Sequence, residues 1–178
     1  MIKIFGRQLF FKFHHLIYDY DVSKNVSCCS LDYELVTDDF ERIDIGYFSI
    51  RMLKKVLRRN PDYSECYLFK TKSESTIVGF ALVSYRGARE IHYKVKETDA
   101  FITALGVFPK QRKKGFSQEI LKGLAYICRS KGLSTLSLSV DNDNFIAVNA
   151  YEKFGFLKRK DVKFIRFATI DFLLHKSV

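Results

Sequence analysis

From Phe101 to Val140 the chain reads as strand, basic glycine-containing loop, helix and strand, and that order constrains the fold more than any other feature. Phe101 to Val107 is a strand-like apolar run. Ile120, Leu121, Leu124, Ile127 and Cys128 fall on one face of a helix from about Ser117 to Lys131, and Gly132 fits its stop. Leu136, Leu138 and Val140 then alternate with Thr135, Ser137 and Ser139, which predicts a half-buried strand over Leu133 to Val140. Strand, helix and strand in succession imply a right-handed parallel crossover. The chain is therefore expected to be an α/β domain with a mixed sheet.

The remaining elements fit around that crossover. Leu31 to Val36 reads as a first strand. Ile50, Leu53, Val56 and Leu57 mark a helix from Gly46 to Arg59, stopped by Asn60-Pro61. Tyr67 to Thr71 and Ile77 to Tyr85 predict a hairpin, and the alternating Glu90 to Lys96 is expected to extend the same sheet. Asp141 to Asn144 supplies caps for a helix running to Phe154, with Gly155 after it. Phe156 to Leu174 reads as two strands joined by a charged turn at Arg159 to Asp161.

Residues 1–30 are expected to be a helical extension and residues 31–178 the main domain. Met1 to Tyr20 is rich in Phe, Leu, Ile and Tyr, yet Lys3, Arg7, Lys12, His14 and His15 interrupt it, so it lacks a membrane-spanning run and a signal-peptide cleavage pattern. The expected role is a helix packed on the domain or on a second subunit of a homodimer. Peripheral contact of residues 1–20 with an anionic membrane surface is the alternative.

The net charge of +10 favours an anionic partner. No nucleic-acid recognition motif accompanies it, so nucleic acid is not the expected partner. Cys28, Cys29, Cys66 and Cys128 have neither zinc nor redox spacing, which reads as reduced thiols in a cytoplasmic protein with no metal site.

Between the crossover's first strand and its helix lies Val107-Phe-Pro-Lys-Gln-Arg-Lys-Lys-Gly-Phe-Ser117. The first N–H groups of a helix lack intrahelical partners, and the helix dipole favours negative charge there. Gly115 allows the backbone to turn and approach a ligand, while Arg112, Lys113 and Lys114 add positive charge. The loop is a device for holding phosphate.

Val107, Pro109, Arg112, Lys114 and Gly115 match the V-x-P-x-x-R-x-K-G pattern of the GNAT superfamily of acyl-CoA N-acyltransferases, which the chain resembles. Val140, Asn144, Ala147, Tyr151 and Gly155-Phe156 resemble the same superfamily's V…N-x-x-A…Y…G-F signature. Ile77-Val-Gly-Phe-Ala also resembles its second and third strands. The resemblance covers roughly Leu31 to Leu174 and departs at Ser117, where Gly or Ala is usual.

That resemblance implies an α/β fold with a mixed, splayed sheet of about six to seven strands flanked by helices, and acetyl-CoA as the acyl donor lying across it. Its pyrophosphate would sit on Arg112, Lys113, Lys114, Gly115, Phe116 and Ser117. Its pantetheine arm would pair with Leu105, Gly106 and Val107, with a backbone N–H near Leu105 facing the developing oxyanion. Tyr151 takes the family's position for the acid that serves the leaving thiolate. Asn144 either positions Tyr151 or the arm, or simply caps the helix. Asp99, Glu97, Glu90 and His92 border a possible acceptor site without any of them being assigned as the base, and Tyr85 and Tyr93 could line it. The expected function is acetylation of a primary amine on a small molecule. A protein or peptide N-acetyltransferase and a non-catalytic acyl-CoA-binding module are the alternatives.

Overall fold

A computed structural model describes residues 2–5, 8–24, 28–36, 57–58, 62–90 and 93–169. The strands are β1 (Ile2–Phe5), β2 (Gln8–Asp21), β3 (Leu31–Val36), β4 (Ser64–Thr71), β5 (Ile77–Ser84), β6 (Arg89–Glu90), β7 (Tyr93–Lys94), β8 (Asp99–Val107), β9 (Thr135–Asp141) and β10 (Leu157–Thr169). The helices are α1 (Phe116–Ser130) and α2 (Phe145–Phe154). Eight strands form one sheet in the order β1-β2-β9-β8-β5-β4-β3, with β10 on β2.

The expected crossover is present. β8 and β9 pair in parallel, whereas β3, β4, β5 and β8 pair antiparallel in sequence. The apolar stripe of α1 supplies Ile120, Leu121, Leu124, Ala125, Ile127 and Cys128 to the principal core, against Leu136, Leu138 and Val140 of β9. That core lies on the helix side of the sheet. A smaller one, with Cys66, Leu68, Phe80, Leu82 and Ala104, lies apart from it and takes Leu57 as a neighbour. The other residues of the helix expected from Gly46 to Arg59 lie outside the described residues, except Leu57 and Arg58, which are helical.

The N-terminal segment departs from expectation. Ile2–Phe5 and Gln8–Asp21 are strands, not a helix, so the helix on which a membrane-surface contact rested is replaced. β2 lies inside the sheet, antiparallel to β9 on one edge and to β10 on the other. The reason is alternation within its last residues: Leu16, Tyr18 and Tyr20 enter the principal core, and the residues between them face the opposite side. Tyr18 also donates to Glu152 Oε1 of α2 at 2.8 Å.

Two smaller expectations also change. Arg89–Glu90 and Tyr93–Lys94 form their own two-stranded ladder instead of extending the main sheet. Leu157–Thr169 is one strand, and the charged residues expected to form a turn instead produce a register shift between Lys158 and Lys160. An extra residue in a ladder bends a strand without ending it. Residues 170–174 of that expected second strand lie outside the described residues. No helix among the described residues is long and apolar enough to cross a membrane.

Candidate active site

β8 and β9 run together only from Asp99↔Thr135 to Ile102↔Leu138. Beyond that point β8 stays with β5 as far as Val107, and β9 stays with β2 as far as Asp141. The sheet therefore forks. A register shift between Leu82 and Val83 leaves Thr103 as the extra residue of β8 where the strands part. Such a bulge increases local bend and twist, which gives the fork a local cause.

The edge of β8 that faces the fork can be deduced from its bonds on the other side. The Phe108 N–H donates to the Val78 carbonyl at 2.9 Å. The Gly106 carbonyl oxygen lies 2.3 Å from where a Cβ on Gly79 would stand, so it too faces β5. Backbone groups alternate sides along a strand, so those of Leu105 and Val107 turn toward the fork. The Val107 carbonyl accepts from Arg112 Nε at 3.2 Å. Gly106 is required by packing as well: a Cβ there would meet the Phe80 ring at 2.4 Å.

The expected phosphate loop follows directly. Pro109–Gln111 forms a 3-10 turn and Arg112 is extended. Lys113 and Gly115 then adopt left-handed φ values of 64° and 82°. Left-handed residues interspersed with ordinary ones cup successive N–H groups into an anion-binding concavity. Gly115 is the N-cap of α1, so no side chain covers the helix start. A Cβ on Gly115 would meet nothing within 4 Å; the φ demands glycine, and the space beside it is open. Arg112, Lys113 and Lys114 are exposed, with Lys114 Nζ held to Gln111 Oε1 at 3.0 Å. Phe116 packs against the principal core and anchors the loop, with half-buried Ser117 beside it.

α2 stands beside α1. Gln118 Nε2 donates to the Ala150 carbonyl at 2.8 Å, a tie the sequence did not signal. Asn144 Oδ1 accepts from the Ala147 N–H at 3.2 Å, which is the helix-cap role. Tyr151 is half-buried against the core, with its ring edge-on to Phe156 at 5.8 Å. Burial pushes its phenol up to about 12.

Polar side chains flank the fork on the sheet face away from the helices. Ser139 Oγ lies 3.2 Å from His15 Nδ1. Ser137 Oγ donates to Asp19 Oδ1 at 2.7 Å, and Arg159 Nη1 lies 3.3 Å from Asp19 Oδ2. On the β8 side, Thr103 Oγ1 is 2.9 Å from Ser84 Oγ, which is 3.1 Å from Ser64 Oγ. Sequence reasoning missed His15 because its segment was read as a helix. The signal available was the alternation of Leu16, Tyr18 and Tyr20 with His15, Ile17 and Asp19.

Other residues considered for an acceptor site lie elsewhere. Asp99 is buried at the joined end of β8 and β9 and accepts from Thr98 Oγ1 at 3.0 Å. Tyr85 belongs to the principal core, its hydroxyl 3.2 Å from that of Tyr67. Glu90 and Tyr93 sit in the separate ladder, Glu97 is exposed, and His92 is outside the described residues. Among the described residues no cluster of His, Cys, Asp and Glu could hold a metal ion.

The acetyltransferase (GNAT) family model matches residues 33–156. Mycothiol acetyltransferase of Thermobispora bispora is 30% identical over 117 residues, spanning 64% of this chain and 37% of its own length. The chain spans about a third of the length of the curated relatives it matches. A GCN5-related N-acetyltransferase from Sphaerobacter thermophilus superposes with a TM-score of 0.62 at 12% identity, covering 89% of this chain and 52% of that one. AAC(6')-Iy, solved with the bisubstrate analogue CoA-S-monomethyl-acetylneamine, gives a TM-score of 0.57 at 16% identity, covering 76% and 97%. At those identities the structures share the fold alone, but the family model spans β4, β5, β8, β9, the basic loop between β8 and α1, and both helices α1 and α2. The chain belongs to the acetyltransferase (GNAT) family.

Proposed function

We propose that this protein transfers the acetyl group of acetyl-CoA to a primary amine on a small molecule. The observation that carries this reading is a fork between β8 and β9 that opens onto an uncapped, basic helix start with α2 alongside. Residues 31–178 would form the acyltransferase unit, with β2 completing its sheet. The cytoplasm, where acetyl-CoA is available, would be its setting.

The residues fit an acyl-CoA. N–H groups from Arg112 to Ser117 would receive the pyrophosphate, with Arg112, Lys113 and Lys114 offsetting its charge. The fork-facing backbone of Leu105 and Val107 would pair with the pantetheine amides, with Gly106 between them. The Leu105 N–H would also face the oxygen on which charge develops as the amine attacks. Asn144 would hold the start of α2 in place through its cap.

Tyr151 would serve the departing sulfur. A phenol near 12 is a weaker acid than a free thiol of about 8.5, so its proton remains largely on oxygen. Tyr151 would act by donating a hydrogen bond to the developing thiolate, which needs a proton already in place at neutral pH. The known relatives include mycothiol acetyltransferases, and one structural neighbour carries an acetylneamine analogue, which supports a small acceptor.

The test is release of CoA from acetyl-CoA in the presence of amino sugars, amino acids, polyamines and a lysine-containing peptide. Turnover with a small amine is expected. Turnover with the peptide alone would move the acceptor to protein. Tight acetyl-CoA binding without any turnover would leave a binding module.

A further inference from the structure

The proposed reaction leaves unassigned the group of this chain that removes a proton from the attacking amine. An amine that is protonated in solution must lose a proton before or during attack, so a proton acceptor must reach the reacting nitrogen. The described residues restrict where such a group can stand. Beyond Leu138 the wall of the fork is β9, and its polar side chain at that point is Ser139. The helix side of the same wall is apolar, with Leu138 and Val140 in the principal core.

Ser139 does not stand alone. Its Oγ is 3.2 Å from Nδ1 of His15 on the adjoining strand. Both residues are half-buried, which limits solvent competition for that hydrogen bond. Across the fork, Thr103 presents the hydroxyl of the bulge residue, held by Ser84. An amine entering from the sheet face away from the helices would pass between the two hydroxyls on its way to a thioester lying along β8.

We propose that Ser139 and His15 form the proton relay of the acetyl transfer, with Thr103 as the opposing hydrogen-bond partner of the amine. This inference rests on the acetyl-transfer reading above. The amine nitrogen bonds to the thioester carbonyl carbon, and the carbon–sulfur bond then breaks with its electron pair leaving on the CoA sulfur. The proton lost by nitrogen passes to Ser139 Oγ as the serine proton passes to His15 Nδ1. His15 becomes an imidazolium and later returns its proton to the thiolate or to solvent. The relay requires the neutral His15 tautomer with Nδ1 bare.

Charged neighbours set the surroundings of His15. Asp141 is its register partner on β9, and Val162 is its partner on β10. On the same face, Asp19 stands along β2 with Arg159, and Lys160 lies opposite Ile17 on β10.

The experiment compares full-length wild type, His15→Gln, Ser139→Ala and Ser139→Thr with two probes, glucosamine and hydroxylamine, at saturating acetyl-CoA. Hydroxylamine is already neutral at pH 7.5, so it depends least on the relay. Both His15→Gln and Ser139→Ala should lower glucosamine kcat at least about tenfold more than hydroxylamine kcat, and should remove the acid limb of the glucosamine pH profile. Ser139→Thr, which keeps the hydroxyl, should restore most of the rate. Acetyl-CoA affinity by calorimetry should change less than twofold. Equal losses with both probes, or no loss with either, would overturn the relay while leaving the transferase reading intact. A wild type that binds acetyl-CoA but acetylates neither probe nor any amino acid, polyamine or lysine-containing peptide would overturn the transferase reading and the relay with it. Nitrogen NMR of the histidine rings gives an activity-independent check: a protonated Nδ1 on His15 at pH 7.5 would sink the relay for any amine.

Discussion

Gln118 Nε2 donates to the carbonyl of Ala150 at 2.8 Å, joining the first turn of α1 to the turn of α2 that carries Tyr151. The bond crosses from the helix that begins at the phosphate loop to the helix beside the thioester's expected position. In the proposed complex it would help to fix the spacing between the pyrophosphate and thioester ends of the acyl-CoA.

Gln118→Ala should therefore loosen the register between donor binding and transfer. Removing one hydrogen bond of this kind costs about 1 kcal/mol, or roughly fivefold in kcat/KM for acetyl-CoA. Steady-state kinetics should show that loss, accompanied by a fall in Tm of about 2–4 °C. An unchanged kcat/KM would mean that core packing alone sets the helix spacing.

Tyr151→Phe should reduce kcat by roughly 10- to 100-fold, the worth of a hydrogen bond to a charged group at about 1.5–3 kcal/mol. Acetyl-CoA affinity should stay within twofold, because the ring and its contact with Phe156 remain. Normal turnover in this variant would remove the phenol from the reaction.

Gly115→Ala tests the loop by conformation alone. At φ 82° an alanine is strained by roughly 1–2 kcal/mol although it meets no neighbour, so CoA should bind about 5- to 30-fold more weakly. Gly115→Asp adds a negative charge at the same point and should abolish binding measurable by calorimetry. Normal affinity in the aspartate variant would displace the pyrophosphate from this loop.

These expectations show which parts of the site were legible in the sequence. The loop and α2 were readable because their constraints are local: a glycine at a left-handed turn, a capping Asn144, and an apolar stripe on α1. The Leu136, Leu138 and Val140 alternation gave β9 for the same reason. β2 was not readable, because its alternation begins only near His15 and the preceding aromatics suit a helix or a strand equally. What decides between them is pairing with β9 and β10, more than a hundred residues away. The fork was hidden too, since it depends on a one-residue register shift at Thr103 that no composition announces.

Gly79→Ala probes the backbone of β5 that supports β8. Its Cβ would fall 2.3 Å from the Gly106 carbonyl oxygen and 2.7 Å from Ile120 Cδ1. Overpacking against backbone costs about 1–3 kcal/mol, which should lower Tm by roughly 3–10 °C. An unshifted melting curve would show that β5 and β8 can separate without cost.

Acid stability should depend on Glu65. Burial alone would raise its carboxyl, but hydrogen bonds from Tyr67, Lys131 and Tyr85, and the charge of Lys131, hold it below the usual carboxylate range. Lys131 Nζ lies 3.0 Å from Glu65 Oε1. A depressed folded-state value stabilises the protein above the unfolded value of about 4.3, and that contribution is lost as pH falls through the folded value. Glu65→Gln should thus be less stable than wild type at pH 7, with the gap in Tm narrowing below about pH 4. A gap that stays constant with pH would assign the loss to packing instead of charge.

The placement of β2 also has a consequence in time. Tyr18 meets Glu152 across a sequence separation of 134 residues, and Asp19 meets Ser137 across 118. Apart from β1, which pairs with Gln8–Phe11, β2 meets its partners only in β9 and β10, more than a hundred residues further along the chain. Pairings of such long sequence separation are slow to form and leave apolar strand edges exposed meanwhile. The segment that completes the wall of the fork therefore precedes its long-range partners and is secured only after them, so refolding should recover helix content before acetyl-CoA binding.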